Sequence, residues 1–249
     1  MVSIDCHSFN STLCSISQLY DVNENDVVEF LLSIDIEDYF IKYNPNNTGD
    51  EIVFILFEEQ FGKAKQAIEK IYWFHLTSVI EGTDFKEGLL PLGNSLNYVW
   101  DNLEKILINT PYLENIKSLR KNGVPSYDFM LKLDAELHGP YAILIRDMAF
   151  ELGHEKYLKV PEIMEDILDG YRNKYSYDIR PIVEKSMKSC IVKFWSEKRI
   201  DHDCVKTAIY YLHTYLNKNA YSLYTNTCFD GYNEIIPFKQ IDMIEYNVL

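Results

Sequence analysis

One short run of the sequence places a histidine and a hydroxyl side chain where both could hold the same ligand. His75 and Thr77 stand two residues apart in an aromatic, apolar run, Tyr72-Trp73-Phe74-His75-Leu76-Thr77. Residues two apart in an extended strand point to the same face. Together, an imidazole and a hydroxyl can hydrogen-bond a ribose or a carboxamide. His75 also fits a structural role, in which a backbone carbonyl satisfies the imidazole inside the core.

A second cluster lies around residue 140. Pro140 predicts the start of a helix over 141–150. The N–H groups at a helix start can bind a phosphate, so His138 is a candidate contact for a diphosphate. Arg146 stands among apolar residues, and a buried arginine needs a carboxylate or an anionic ligand. The structural alternatives are a tight helix entry at Gly139-Pro140 and an internal ion pair for Arg146.

No residue pattern indicates a metal site or a familiar nucleotide-binding loop. The five cysteines are scattered and form no Cys-x-x-Cys pair, so neither a zinc ribbon nor a disulfide framework is expected. The sequence also contains no P-loop, dinucleotide-binding, hydrolase-elbow or zinc-protease signature. We therefore predict no bound metal.

Helices are predicted for most of the chain from capping residues and from apolar side chains three and four residues apart. They are expected to begin at Ser11 or Thr12, after Asn23, near Ser95, after Pro161 (closing at Gly170), and at Asp201 or Asp203. The run 52–57 fits either a buried strand or the start of a helix.

Fewer segments are typical of strands. The runs 71–77 and 190–195 are rich in aromatic and β-branched residues. The segment 227–246 is predicted to be a hairpin with Asp230-Gly231 as its turn. This order of elements indicates an α+β fold that is mainly helical, with a small mixed or antiparallel sheet formed by a central strand and C-terminal strands.

The loop from Asn44 to Asp50 is the clearest predicted boundary. We expect a helical N-terminal appendage over 1–44 and an α+β main domain over 50–249. Tyrosines cluster over 171–177 and 210–224. Such clusters favour helix packing or a protein interface, which is compatible with a homodimer.

The charge of the chain narrows the classes of partner. With 24 basic and 38 acidic residues, the net charge is −14. Such an acidic surface repels phosphate backbones, so we expect no strong binding of bulk nucleic acid or of an anionic membrane. A basic partner or a small ligand is favoured instead. The sequence shows no secretory signal, no membrane span and no disulfide pattern, which predicts a cytoplasmic protein.

Two segments of the chain resemble the ADP-ribosyltransferase fold. The run Tyr72-Trp73-Phe74-His75-Leu76-Thr77, followed by Glu87-Gly88-Leu89-Leu90-Pro91-Leu92, is similar to the opening signature of that fold. The likeness is closest to the toxins that act on DNA and RNA and to the RNA 2′-phosphotransferases. The run from Phe229 to Ile241 is similar to the closing hairpin of the same fold.

The resemblance implies that NAD is a substrate and that its ADP-ribose is transferred to a macromolecule. His75 would hold the ribose on the nicotinamide side, with Thr77 beside it. Gly88, together with His138 and Arg146 of the second cluster, would then contact the rest of the NAD molecule.

A catalytic glutamate is also implied by the resemblance. It would come from a late strand, orient the ribose 2′-hydroxyl and stabilise an oxocarbenium-like transition state. Glu234 lies in the hairpin-like run and is the first candidate, with Glu245 as the second. His75, Thr77 and Glu234 are therefore the predicted catalytic set.

Two classes of function remain open from the sequence. An acidic chain rich in tyrosine and asparagine suits a bacterium or phage, where a transferase could serve as a toxin or defence factor. The alternative is a non-enzymatic acidic interaction protein, such as an immunity or phage accessory factor, that binds a basic protein. An enzyme needs His75 near a reachable pocket and a glutamate, whereas an interaction protein can bury it. NAD would stabilise only the enzyme.

Overall fold

The structure, a computed structural model, describes residues 1–40, 47–133, 139–198 and 202–249. It confirms the α+β prediction. The α-helices in the described residues are α1 (Phe9–Tyr20), α2 (Glu24–Ser33), α3 (Ile36–Phe40), α4 (Gly49–Phe61), α5 (Leu92–Ile106), α6 (Leu113–Asn122), α7 (Tyr127–Leu131), α8 (Lys156–Lys159), α9 (Glu162–Tyr175), α10 (Arg180–Glu184) and α11 (His202–Leu216). The strands are β1 (Val2–Ile4), β2 (Ile68–Val79), β3 (Tyr141–Ile143), β4 (Lys188–Ser196), β5 (Cys228–Asp230) and β6 (Ile241–Tyr246).

The strands form one small mixed sheet in the order β5-β3-β2-β4-β6, with β1 beside β2. β1 runs parallel to β2, and β3 runs antiparallel to it with Phe74 opposite Ile143. The strands predicted over 71–77 and 190–195 are confirmed as parts of β2 and β4. The hairpin predicted over 227–246 is wrong. β5 and β6 stand at opposite ends of the order, because each pairs with another strand and not with its sequence neighbour.

The first two helices begin at capping residues. α2 begins as predicted, with the Asn23 side chain accepting a hydrogen bond from the Asn25 N–H at 2.8 Å. The cap of α1 lies three or four residues earlier than expected, because it is Ser8, and Ser11 completes a reciprocal capping box with it. The ambiguous run 52–57 lies inside α4. Of the two aspartates expected to cap α11, Asp201 lies outside the described residues and Asp203 lies within the helix.

The helix predicted over 141–150 is wrong. That segment forms β3 and then a short 3-10 helix, Arg146–Phe150. The N–H groups of Leu144 and Ile145 donate to the side-chain oxygen of Asn226 at 3.1 and 3.2 Å. In a helix these N–H groups would donate to carbonyls four residues earlier in the chain. Because the distant Asn226 side chain accepts them instead, the segment is not helical at this point.

Gly170 does not close α9, which continues to Tyr175. A Cβ at this position would overlap Cγ1 of the buried Val124. The glycine is therefore explained by close packing inside the helical core and not by the end of a helix.

The contact at Gly170 predicts that Gly170→Ala changes the free energy of unfolding in opposite directions with and without the Val124 side chain. Gly170→Ala should lower the free energy of unfolding by about 1–2 kcal/mol, because overlap with Val124 outweighs the better helix propensity of alanine. In a Val124→Ala background, the same change should stabilise the protein, since the overlapping methyl group is gone. Urea denaturation of the four proteins measures both effects. Destabilisation of equal size in both backgrounds would contradict this explanation.

Two compact units divide the chain. The first contains Met1–Phe74, Ala142–Gly153 and Phe194–Phe229, and the second contains His75–Tyr141, His154–Lys193 and Asp230–Leu249. In the first unit, α1, α2 and α4 pack against α11. The predicted division of the chain into 1–44 and 50–249 stays a prediction.

The second unit has its own apolar core. In this core α6 and α7 pack against α9, and α5 packs against α6, α9 and α10. Val99, Trp100 and Leu103 of α5 are buried there, at the three-and-four spacing of one helix face. The buried side chains of this core include Trp100, Leu103, Ile116, Ile167 and Tyr171. No helix in the part of the chain that the structure describes is long and apolar enough to cross a membrane.

Candidate functional site

His75 lies on β2 with its ring half-buried and held in one orientation. Its Nδ1–H donates to the carbonyl oxygen of Tyr141 at 2.7 Å. Burial lowers the pKa of His75, with the carbonyl bond opposing the shift, so the imidazole is neutral at pH 7. Because Nδ1 carries the proton in this bond, Nε2 presents a lone pair that can accept a hydrogen bond.

Thr77 lies two residues further along β2 and is also half-buried. The alternation of side chains puts it on the same face as His75, as predicted. Its Oγ1 donates to the carbonyl of Ser78 at 3.4 Å, which is a long hydrogen bond for a hydroxyl. The hydroxyl can therefore turn toward a ligand at little cost.

Gly88 is held against the C-terminal segment of the second unit. Its φ is +85°, and a Cβ there would overlap the carbonyl oxygen of Ile236. The next residue, Leu89, forms an isolated antiparallel bridge with Ile236 through two hydrogen bonds of 2.9 and 3.0 Å. Glycine is required at 88 by this close approach of two backbones. The bridge also joins the two segments that carry the family resemblance.

Glu234 lies two residues before this bridge and is exposed. Its N–H donates to the Gly231 carbonyl at 2.9 Å, and the Gly231 N–H donates to the Pro140 carbonyl at 3.2 Å. The next carbonyl, that of Tyr141, accepts the His75 bond. The described side chains of His75 and Glu234 do not hydrogen-bond each other directly. A short series of backbone hydrogen bonds nevertheless connects the segments that bear them.

A very close contact between two glycines supports this connection. A Cβ on Gly139 would overlap the backbone of Gly231 and Tyr232, and a Cβ on Gly231 would lie 2.7 Å from Cδ of Pro140. Tyr232 itself has a φ of +46°, which is unusual for an aromatic residue. The two glycines therefore allow the segment before β3 to lie directly against the turn at 231–233.

Tyr141 and Tyr232 expose their rings beside this contact. Tyr141 is 48% exposed and Tyr232 is 61% exposed. The pKa of the Tyr141 hydroxyl is raised, first by partial burial and then by the nearby charges of Asp230 and Glu162. Asp230 and Glu162 thus lie close enough to act on the Tyr141 hydroxyl, and Glu162 is itself paired with Lys132.

A cavity of about 630 Å³ also lies in the second unit, and Glu162, whose charge acts on the Tyr141 hydroxyl, is part of its wall. Lys132 is 18% exposed at its wall and bridges Glu162 at 2.8 Å and Asp166 at 2.7 Å. Burial raises the pKa of Asp166, and the charge of Lys132 opposes that shift. The remaining lining residues are Asp128, Leu131, Lys156, Tyr157, Val160 and Glu165.

Arg146, His138 and Glu245 are the remaining predicted site residues. Arg146 belongs to the first unit, where its guanidinium lies 5.4 Å from the ring centre of Phe150. Its backbone N–H donates to the Cys6 carbonyl at 3.1 Å. His138 lies outside the described residues. Glu245 is half-buried on β6, and its charge adds to the burial that raises the pKa of Cys190 to about 12.

The aromatic residues at this site were missed from the sequence. Each tyrosine belongs to a short run that contains a glycine, Gly139-Pro140-Tyr141 or Asp230-Gly231-Tyr232. Nothing in either run indicates that the two runs contact each other. Across the described residues, no group of three or more His, Cys, Asp or Glu side chains is placed to hold a metal ion.

Comparison with protein-family models, with curated proteins and with solved structures finds no match to this chain.

Proposed function

We propose that this chain is an NAD-dependent ADP-ribosyltransferase that acts on a macromolecular acceptor. The observation that carries the proposal is the neutral His75 ring, fixed by the Tyr141 carbonyl and sharing a strand face with Thr77. An Nε2 acceptor and a hydroxyl on one face can hold the adjacent hydroxyls of a ribose.

The paired segments support the same proposal. The Leu89–Ile236 bridge holds the Gly-Leu-Leu turn against the segment that bears Glu234. A carboxylate there can accept a hydrogen bond from the ribose 2′-hydroxyl and stabilise positive charge that develops on the ring.

In the proposed reaction the bond between ribose C1′ and the nicotinamide nitrogen breaks, and nicotinamide leaves with the bonding electrons. A nucleophilic oxygen or nitrogen of the acceptor, or of water, forms the new bond to C1′ and then loses its proton. In these steps His75 and Thr77 orient the ribose, while Glu234 stabilises the charge and directs the acceptor.

The direct test is to incubate the wild-type protein with NAD, with and without bacterial lysate, and to measure nicotinamide release and the melting temperature. The proposal predicts a higher melting temperature with NAD and release that increases when lysate supplies an acceptor. If NAD neither shifts the melting temperature nor loses nicotinamide under either condition, the transferase proposal is wrong. The non-enzymatic alternative, an acidic protein that binds a basic partner, then becomes the leading one.

A further inference from the structure

His213 is a buried imidazole in the first unit that the proposed reaction does not use. It lies on α11, and its exposed fraction is 2%. Its Nε2–H donates to the carbonyl oxygen of Ile34 at 3.4 Å, which is a long hydrogen bond. Nδ1 is buried and has no hydrogen-bond partner among the described residues. The ring is therefore held by one weak bond and keeps an unpaired lone pair inside the core.

His213 and Asn217 together hold the C-terminal end of α2. The Asn217 amide donates to the Leu31 carbonyl at 3.2 Å and to the carbonyl of His213 at 2.9 Å. Ile34 directly follows α2, so both side chains of α11 reach carbonyls at the end of that helix. The carbonyls of a last helical turn have no partner within their own helix. Side chains of α11 thus cap α2 from outside.

The rest of α2 is attached by few buried side chains. Only two of its ten residues, Val27 and Leu31, are buried. The helix packs against α1 and α11. An element with so little buried apolar surface belongs to the part of a fold that opens at low cost in free energy. The polar bonds from α11 therefore contribute a large share of what keeps α2 in place.

The polar neighbours of His213 along α11 supply no charge that could compensate a proton on its ring. Tyr210 stacks on the imidazole with 6.2 Å between the ring centres. Burial raises the pKa of the Tyr210 hydroxyl, so this neighbour is uncharged below pH 8. Lys206, one turn further back, is paired with the buried Asp50 of α4 at 3.0 Å. That carboxylate is therefore already neutralised.

The other elements around α11 do not supply a compensating charge in the described residues either. α1 contains no charged residue. The carboxylates of α2, of α3 and of the connection between them are all exposed, namely Glu24, Asp26, Glu29, Asp35, Glu37 and Asp38. The remaining carboxylates of α4 are Glu51, Glu58 and Glu59, and each is at least partly exposed. The short 3-10 helix Leu223–Thr225 carries only the exposed Tyr224. A proton on His213 would thus be an unpaired buried charge.

The contact of α2 with α11 therefore depends on pH with a definite sign. Burial lowers the pKa of His213, and the bond to the Ile34 carbonyl opposes that shift. When α2 leaves α11, the ring meets water and regains a pKa of about 6.5. Below that pH the released state binds more protons than the packed state. The contact is complete above about pH 6.5 and weakens as the pH falls below it.

We propose that the His213–Ile34 contact is a pH-sensitive switch, in which protonation of the imidazole releases α2 from α11. Release uncovers the apolar side chains of Val27 and Leu31, which are buried in the packed state. The switch requires neither NAD nor an acceptor, so it does not depend on the proposed function. It belongs to the first unit alone, because α2 and α11 both lie there.

The test is amide hydrogen exchange of the full chain at pH 7.5 and 5.5, measured by mass spectrometry and corrected for the intrinsic pH dependence of exchange. The protection of α2 amides should be about tenfold lower at pH 5.5, while α9 of the second unit keeps its protection. In His213→Gln, the amide can still donate to Ile34 but cannot take up a proton, so α2 should be equally protected at both pH values. His7→Gln is the matched control and should respond as the wild type does. His7 is in the same unit, but its ring contacts Phe74 at 5.8 Å.

Three exchange results would overturn the proposal. They are unchanged protection of α2 in the wild type, an equal loss in His213→Gln, and an equal loss in α9. The second would assign the effect to the carboxylates of α2 and α3, and the third would indicate general acid unfolding. An NMR titration of the His213 ring in the wild type decides the matter without a variant. Its midpoint should coincide with the loss of α2 protection, and a separate midpoint would contradict the switch.

Discussion

Gly88→Ala is expected to lower the free energy of unfolding by about 3–5 kcal/mol, the largest stability effect that we predict for a single methyl group. Two costs combine. Alanine is strained at a φ of +85°, and its Cβ would overlap the Ile236 carbonyl, which belongs to the backbone and cannot rotate away. The two hydrogen bonds of the Leu89–Ile236 bridge would then lengthen or break.

Gly82→Ala is the matched control for this prediction. Gly82 has almost the same φ, +89°, but nothing lies within 4 Å of the position of its Cβ. Only the backbone strain remains there, so we expect a loss of about 1–2 kcal/mol. Urea denaturation of both variants measures the difference. Equal losses would show that the bridge contributes nothing beyond the glycine conformation.

Glu234→Gln is expected to reduce nicotinamide release by about hundredfold or more, if the transferase proposal is correct. The substitution keeps the size and shape of the side chain and removes its charge. A neutral amide cannot stabilise the positive charge that develops on the ribose. Glu234 is exposed, so the melting temperature should change little. The assay is the initial rate of nicotinamide release at saturating NAD.

Glu245→Gln provides the comparison, because Glu245 was the second candidate for the same role. It lies on β6 beside Cys190, and its segment is not joined to β3 by the backbone hydrogen bonds that connect Glu234. We expect its rate to stay within about threefold of the wild type. The reverse order of effects would transfer the catalytic role to Glu245 and leave Glu234 as a surface residue.

Local patterns predicted the elements near the site better than the contacts between them. The aromatic run around His75 is part of β2, and the apolar spacing after Ser95 lies in α5, because both patterns reflect burial along a single element. The predicted helix over 141–150 failed because the side chain of Asn226, some eighty residues away, satisfies the N–H groups of Leu144 and Ile145. No local pattern contains that information.

At the site, too, local features could be predicted and contacts between distant segments could not. The face shared by His75 and Thr77 follows from the strand period and could be predicted. The Tyr141 carbonyl that orients His75 and the glycine contact beneath Tyr232 depend on distant segments, so they required the structure. Gly88 is expected to contact the NAD molecule, and the structure explains the glycine by the close approach of the Ile236 carbonyl. Its role in holding NAD stays a prediction.

The most direct measurement of the central claim is the initial rate of nicotinamide release from NAD by the wild type and by His75→Ala. The variant loses one side-chain hydrogen bond from a half-buried ring, which costs about 1 kcal/mol, so it should stay folded at the assay temperature. We predict measurable release by the wild type and a rate lower by about hundredfold or more in the variant. Equal rates in the two folded proteins would contradict the claim that His75 holds the ribose during NAD cleavage.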